Sequence, residues 1–280
     1  MLRTIIDRAC ALNDRNKGFT LDSHTTMSTE IDPKLLIEGL GKGLRVIESF
    51  SDERPRLTAT ETGALAGLTR TAARRYLLSL VHFGYAGTDG KYYWLLPSIL
   101  RLGQSYLDSA RLPRLVQPFL QRMSMQTGET ANLSVLDGQD VVYLLRSNAP
   151  RVLSIGYHTG ARIPAHCVSA GFAILSTYTR PELERWVEGH DFSRFTPQTI
   201  TKPDAFMELV ESARNLGYWM TDQFINVGMS GVAVPLLDRK GHCHGALSMT
   251  YQREIYPPEA AQKKLLPALQ DTAEVLRSII

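Results

Sequence analysis

Residues 70–75 carry the side chains in this sequence whose type and spacing best suit binding to another molecule. On one side of a predicted helix lie Arg70, Thr71, Arg74 and Arg75. The guanidinium fork of arginine matches O6 and N7 of guanine, and it also pairs with phosphate. The alternative is a surface helix whose arginines form ion pairs with neighbouring carboxylates. The pattern therefore predicts either a DNA-reading helix or a solvated basic face.

The segment before these arginines predicts two short helices joined by a tight turn. Thr58-Ala59-Thr60-Glu61 is a capping box, in which the threonine hydroxyl accepts the N–H of the glutamate and the glutamate reaches back. Gly67-Leu68 ends the first helix, and Thr69 can cap a second helix that runs to Leu80. This is the helix-turn-helix pattern. Thr58 is also placed to offer its hydroxyl to a phosphate, with capping alone as the alternative.

A hairpin is predicted directly behind the second helix. Residues 85–87 and 92–95 flank Asp89-Gly90, a pair that tolerates the positive φ of a hairpin turn. Such a wing lies along the phosphate backbone, where Lys91 fits. Residues 54–104 contain seven arginines and lysines against two carboxylates, an excess of five positive charges. The predicted DNA contacts are Thr58, Thr69, Arg70, Thr71, Arg74, Arg75 and Lys91.

The bulk composition excludes several classes of protein. The chain has 280 residues, of which 44% are hydrophobic and 21% charged, as in a globular protein of two domains. No apolar run reaches the roughly 18 residues of a membrane span, and residues 1–20 lack the pattern of a secretory leader. Cys10, Cys167 and Cys243 are scattered and odd in number, which favours a reducing compartment. We therefore expect a cytoplasmic protein without a membrane partner.

The chain divides into four predicted segments. They are a disordered or loosely held tail at 1–33, a winged helix-turn-helix domain at 34–96, a linker helix at 97–111 and a second domain at 112–280. Met27, within the tail, is an alternative start to Met1. Pro113 and Pro118 are expected to interrupt the path to the next helix.

In the second domain the sequence pattern predicts strands that alternate with helices. Predicted strands are 130–136, 141–145, 152–157, 232–237 and 245–251, and predicted helices are 169–177, 181–187, 204–215 and one that starts at Pro258. Asp137-Gly138 and residues 238–241 supply hairpin turns. Hairpins imply an antiparallel sheet covered by helices, so the fold class is α+β.

From about Leu36 to its C-terminus the sequence resembles the IclR family of bacterial regulators. The residues that carry the resemblance are 67–80, 84–85, 160–171 and 217–235. It implies a winged helix-turn-helix, a linker helix used in dimerisation and a GAF-like effector and oligomerisation domain, with dimers or dimers of dimers bound to promoter sites. The paired Arg74 and Arg75 resemble the branch that controls protocatechuate, 4-hydroxybenzoate and β-ketoadipate catabolism.

The resemblance also implies an effector site in the second domain. Carried over by position, its residues are Ser169, Ala170, Gly171, Asp222, Ser248 and Thr250, and His166 joins them. Backbone N–H groups at a helix start, together with hydroxyls, suit a carboxylate. Arg146 and Arg162 are candidates to pair with that carboxylate, with plain surface charge as the alternative.

Two departures from the family pattern point to the ligand. The acidic turn of the family carries two or three carboxylates, but here Asp222 is followed by Gln223 and Phe224. Gly231 stands where cysteine or another small residue is common. Loss of charge and bulk favours a larger, aromatic or longer organic acid.

Other reactive residues do not predict catalysis. His166-Cys167 and His242-Cys243-His244 match no closed metal motif. Adjacent residues on an extended chain point apart, which disfavours a nucleophile made of Cys167 and His166. We expect no cofactor, no metal, no catalytic residue and no enzymatic activity.

The expected partners are double-stranded operator DNA, a small organic acid and further copies of the chain. The rival interpretation is a small-molecule sensor or enzyme whose DNA-binding domain is non-functional.

Overall fold

The computed structural model describes residues 32–148 and 157–280. These form two compact units, and the chain passes from the first to the second between Arg114 and Leu115. The predicted tail up to residue 31, with Met27 and Cys10, and all but the last residue of the predicted strand at 152–157 lie outside the described residues. No described helix has the length and apolarity needed to cross a membrane.

The first unit contains short helices and a small antiparallel sheet. The helices are α1 (Glu38–Glu48), α2 (Ala59–Ala66), α3 (Arg70–His82) and α4 (Leu100–Ser109), with 3-10 turns at Pro33–Leu35 and Pro97–Ile99. The strands are β1 (Leu57–Thr58), β2 (Ala86–Thr88) and β3 (Tyr92–Leu95), in the order β1-β3-β2. The predicted winged helix-turn-helix is confirmed, and β1 is an addition that the sequence pattern did not predict.

Capping residues fix the limits of α2 and α3. Thr58 and Glu61 form the predicted capping box, and Gly67 ends α2 in the left-handed conformation with φ of 67°. The hydroxyl of Thr69 accepts the N–H of Ala72 at 3.2 Å and so starts α3. The core packs Val46 of α1, Ala59 and Ala66 of α2, Leu77 of α3 and Tyr93 of β3. Because Leu77 faces this core, the opposite side of α3 is left to solvent.

Helix α5 (Arg111–Thr127) corrects one expectation from the sequence. Pro113 and Pro118 were expected to interrupt the chain here, but α5 runs through both. Pro113 lies in the first turn, where backbone N–H groups have no helical partner to lose. Pro118 removes one interior hydrogen bond. The buried face of Val116, Leu120 and Met123 offsets that loss.

The second unit is built on one antiparallel sheet of six strands. These are β4 (Thr130–Asp137), β5 (Asp140–Ser147), β6 (Arg162–Pro164), β7 (Trp219–Asp222), β8 (Met229–Leu237) and β9 (Cys243–Gln252), in the order β6-β5-β4-β9-β8-β7. The helices are α6 (Ser169–Leu175), α7 (Arg180–Glu188), α8 (Pro203–Leu216) and α9 (Pro258–Arg277), with a 3-10 turn at Ala165–Cys167. The α+β class is confirmed. The short edge strands β6 and β7 lack alternation and were not predicted.

Helix α6 covers one face of this sheet at close range. Its Phe172 and Leu175 share a buried cluster with Tyr143 of β5, Ala233 of β8 and Ala246 of β9. The small side chains on β8 and β9 let the helix approach the strands. Helix α9 also packs against β8 and β9.

Gly171 permits the close contact between α6 and the 3-10 turn before it. A Cβ atom on Gly171 would lie 2.0 Å from the carbonyl oxygen of Ala165. Because the new Cβ would meet a backbone oxygen, no side-chain rotation relieves the contact.

We predict that Gly171→Ala lowers the free energy of unfolding by about 2–3 kcal/mol, because it forces α6 away from the turn. Gly189→Ala is the matched control, since its nearest neighbour, Nε2 of Gln139, would lie 3.8 Å from the new Cβ. The control should stay within about 0.5 kcal/mol of the wild type. Urea unfolding followed by circular dichroism measures both, and equal stabilities for the two variants would contradict the packing role.

Candidate functional site

The solvent side of α3 presents the predicted basic face. Arg70, Thr71, Arg74 and Arg75 are all exposed. Ala73 and Leu77, on the other side of the helix, are completely buried. No ion pair between described residues involves these three arginines. The surface-ion-pair alternative therefore has no support in the described residues.

The two capping threonines have their hydroxyls engaged within the fold. Thr58 donates its hydroxyl to Oε2 of Glu61 at 2.7 Å and accepts the Glu61 N–H at 3.3 Å. Thr69 accepts the N–H of Ala72. Their structural role is helix capping, and their contacts with DNA stay predictions.

The wing is ordered around Asp89. Its carboxylate accepts the backbone N–H groups of Lys91 and Tyr92, and these bonds lower the pKa of Asp89. Arg56 pairs with the same carboxylate at 2.8 Å and lies 4.5 Å from the ring centroid of Trp94. Lys91 is exposed beside them. Arg56 adds a cation to the wing that sequence spacing did not single out, because it lies 33 residues before its partner.

A cavity of about 360 Å³, counted with the part open to solvent, lies between α6 and the sheet of the second unit. Its lining residues are Tyr143, Tyr157, Cys167, Val168, Ser169, Thr221, Phe224, Ile225, Met229, Ser230, Gly231, Ser248 and Thr250. Three of the predicted effector residues, Ser169, Ser248 and Thr250, are among them.

Gly231 opens the polar end of this cavity. Strand register places it between Thr221 on β7 and Thr250 on β9. A Cβ on Gly231 would lie 2.9 Å from Oγ of Ser169 and 3.5 Å from Oγ1 of Thr221. The missing side chain therefore leaves space where several hydroxyls converge.

Aromatic and aliphatic side chains also line the cavity. Phe224 and Ile225 come just after β7, and the phenol oxygen of Tyr157 accepts a hydrogen bond from Nδ2 of Asn226 at 3.0 Å. Gln223 turns the chain here with φ of 61° and accepts the N–H of Gly228 at 2.9 Å. A turn-forming glutamine and two apolar residues thus follow Asp222.

The other predicted effector residues do not line the cavity. Asp222 accepts the hydroxyl of Ser230 at 2.6 Å and pairs with Arg253 at 3.0 Å. Arg162 pairs with Asp137 at 2.6 Å and with Asp140 at 3.2 Å. The effector contacts of both residues stay predictions.

Three further predicted residues are also absent from the lining. The guanidinium of Arg146 donates to Oδ1 of Asn148 at 2.6 Å and to the carbonyl of Tyr157. Ala170 follows Ser169 into α6, and the N–H of Gly171 is taken up by the carbonyl of Val168 at 3.0 Å. Their roles toward an effector also stay predictions.

His166, the last of the predicted effector residues, contacts Cys167 directly. The two side chains were expected to point apart, but Sγ of Cys167 and Nε2 of His166 are 3.2 Å from one another. The reason is that Ala165–Cys167 forms a 3-10 turn and not an extended strand. Burial raises the pKa of the Cys167 thiol to about 12. The sulfur therefore keeps its proton at neutral pH and is a poor nucleophile.

A chain of buried hydrogen bonds continues from this thiol. Nδ1 of His166 lies 2.7 Å from Nε2 of His190, and Nδ1 of His190 lies 2.5 Å from Oε1 of Gln139. Nε2 of Gln139 donates to the carbonyl of Trp186, so its Oε1 must accept from His190. Burial lowers the pKa of His190 to about 4, so the imidazole is neutral at pH 7.

The second histidine pair converges on Asp238. His242 and His244 each approach Oδ2 of Asp238, at 3.2 and 3.3 Å. Burial raises the pKa of Asp238, but hydrogen bonds from the backbone of His242 and from His244 outweigh it and hold the pKa well below its usual range. Among residues 32–148 and 157–280, no three histidine, cysteine or acidic side chains are placed to hold a metal ion.

Comparison with known families follows this geometry. Residues 39–90 match the IclR helix-turn-helix domain, and residues 104–277 match the C-terminal domain of the bacterial transcriptional regulator IclR. The chain belongs to the IclR family.

Three relatives illustrate the match. The chain is 38% identical to the p-hydroxybenzoate hydroxylase transcriptional activator of Acinetobacter baylyi, over 92% of this chain and 97% of that protein. A solved transcriptional regulator from Rhodococcus sp. RHA1 is 33% identical, with a TM-score of 0.77 over 86% of this chain and 97% of its own. An IclR homolog from Microbacterium hydrocarbonoxydans, solved with 4-hydroxybenzoate, is 26% identical, with a TM-score of 0.69 over 85% of this chain and 99% of its own.

Proposed function

We propose that this IclR-family regulator binds operator DNA through α3 and its wing, and that a hydroxylated aromatic acid in the cavity of the second unit modulates that binding. Suitable acids are 4-hydroxybenzoate and protocatechuate, with β-ketoadipate as a related catabolite. The observation that carries the proposal is the lining of the cavity, which combines serine and threonine hydroxyls with aromatic and aliphatic side chains.

The DNA contact rests on geometry and charge. Helix α3 is fixed by its cap and by Leu77, so its arginines project from a rigid element. Arg74 and Arg75 are exposed and are not ion-paired to described residues. A helix of this kind enters the major groove, where arginine reads guanine and also meets phosphate.

The effector contact rests on the lining of the cavity. Phe224 and Tyr157 offer ring faces, and Val168 and Ile225 add aliphatic surface, which together suit a planar aromatic ring. The hydroxyls of Ser169 and Thr250 can donate hydrogen bonds to a carboxylate. The relative named for p-hydroxybenzoate hydroxylase and the homolog solved with 4-hydroxybenzoate support the same ligand class.

Regulation then follows from thermodynamic linkage. The effector changes operator affinity only if it binds one arrangement of the protein more tightly than another. We propose that this arrangement is a dimer or a dimer of dimers in the cytoplasm. The large exposed apolar side chains on α4, Leu100, Leu102 and Tyr106, support α4 as part of the contact between copies.

The rival function, an enzyme or sensor without DNA binding, has less support. The thiol in the cavity keeps its proton, and the buried histidine pair beside it is engaged in hydrogen bonds. We propose that the chain has no catalytic activity of its own.

We predict that the double variant Arg74→Ala/Arg75→Ala abolishes a gel shift of the DNA upstream of its own gene, because each lost base contact costs about 1–3 kcal/mol. Effector affinity should be unchanged. Arg180→Ala/Arg239→Ala is the matched control, since it removes two exposed arginines from the second unit. Retention of the shift in the Arg74/Arg75 variant would contradict DNA binding through α3, whereas failure of the wild type to shift this DNA would favour the rival function.

We predict that calorimetry shows tighter binding of 4-hydroxybenzoate or protocatechuate than of glyoxylate or pyruvate. Only the aromatic acids have a ring that buries apolar surface against the aromatic and aliphatic side chains of the cavity. Gly231→Val should remove this binding by filling the polar end of the cavity. Tighter binding of glyoxylate or pyruvate than of any aromatic acid would overturn the proposed effector class.

A further inference from the structure

Strand β4 lies between two strands that line the cavity, although none of its own residues is in the lining. Tyr143 of β5 lines it on one side, and Ser248 and Thr250 of β9 line it on the other. The sheet order places β4 between these two strands. Register pairs Asn132 with Ser248, and successive residues of a strand alternate between faces, so Asn132 and Ser134 lie on the cavity's face of β4.

These two side chains carry buried polar atoms. Asn132 is 1% exposed and Ser134 is 0% exposed. Oδ1 of Asn132 and Oγ of Ser134 make no hydrogen bond to any described residue. Leaving such groups unpaired costs about 1–3 kcal/mol each, so a fold that retains them calls for an explanation.

The same sheet face has a second polar cluster two strands away. Ser169, Thr221 and Thr250 converge around Gly231 of β8. Two strand spacings, about 9–10 Å, separate β4 from β8. A single benzene ring that carries polar groups at opposite ends can bridge such a gap and bond to both clusters.

We propose that Asn132 and Ser134 form a subsite that binds the ring hydroxyl of the aromatic effector and so selects hydroxylated over unsubstituted acids. This inference rests on the proposed function. A hydroxyl both donates and accepts, so it can bond to the amide oxygen or nitrogen of Asn132 and to the hydroxyl of Ser134. A carboxylate has no proton to give to Oδ1 of Asn132. In this proposal the carboxylate binds instead at the cluster around Gly231, where the hydroxyls of Ser169 and Thr250 can donate to it.

The test compares 4-hydroxybenzoate with benzoate, which lacks the ring hydroxyl, by calorimetry on the full chain. In Asn132→Leu the affinity for 4-hydroxybenzoate should fall about tenfold, while that for benzoate stays within about twofold. Ser134→Ala should give the same selective loss at about threefold. Ser176→Ala is the control, because it removes a buried hydroxyl that is bonded to the carbonyl of Ala173. The control should leave the ratio of the two affinities unchanged.

The melting temperature of the ligand-free protein is the second readout. In the ligand-free protein the amide oxygen of Asn132 makes no hydrogen bond to a described residue and so adds no stability. Asn132→Leu should therefore leave the melting temperature unchanged or raise it. Equal loss of both ligands, no loss of either, or a fall of several degrees in melting temperature would each overturn the subsite. If the wild type binds neither acid, the proposed effector class fails instead, and that result is distinct.

Discussion

The hydrogen-bonding demand of buried polar groups governs the second unit. Helix α6 is pressed onto a sheet face that carries Asn132, Ser134 and Ser248, all deeply buried. Burying a polar group in an apolar interior costs free energy unless the group forms a hydrogen bond. Gly171 lets α6 contact the 3-10 turn before it, and the absence of a side chain at Gly231 keeps a space open beside Ser169 and Thr221. The cavity and its chemistry both follow from this arrangement.

In the first unit, local interactions are enough to position the DNA-binding helix. Two caps, one left-handed glycine and a small apolar core hold α3 so that its cationic side faces outward. The energy for operator binding comes from charge and from base contacts, neither of which needs a buried cavity. An effector in the second unit acts on this helix only through a difference in affinity between arrangements of the protein.

The sequence predicted what local chemistry determines and missed what long-range packing determines. The capping box at Thr58, the turn at Gly67 and the wing around Asp89 each depend on neighbouring residues, so their pattern was sufficient. The break expected at Pro118 was wrong because burial of the helix outweighs one lost hydrogen bond. Tyr143 and Phe224 read as ordinary strand or core residues, since only the folded second unit brings them to one cavity. Asn132 also reads as a strand residue, and only the sheet order places it next to the strands that line that cavity. The family resemblance supplied Ser169, Ser248 and Thr250, which position alone does not reveal.

A crystal structure of the protein with 4-hydroxybenzoate tests the central claim most directly. The account predicts one ligand between α6 and the sheet, with its ring against Phe224 and its carboxylate at Ser169. The ring hydroxyl should lie within about 3.2 Å of Asn132 or Ser134. Ligand bound only outside this cavity, or with its carboxylate against Asn132, would contradict the account.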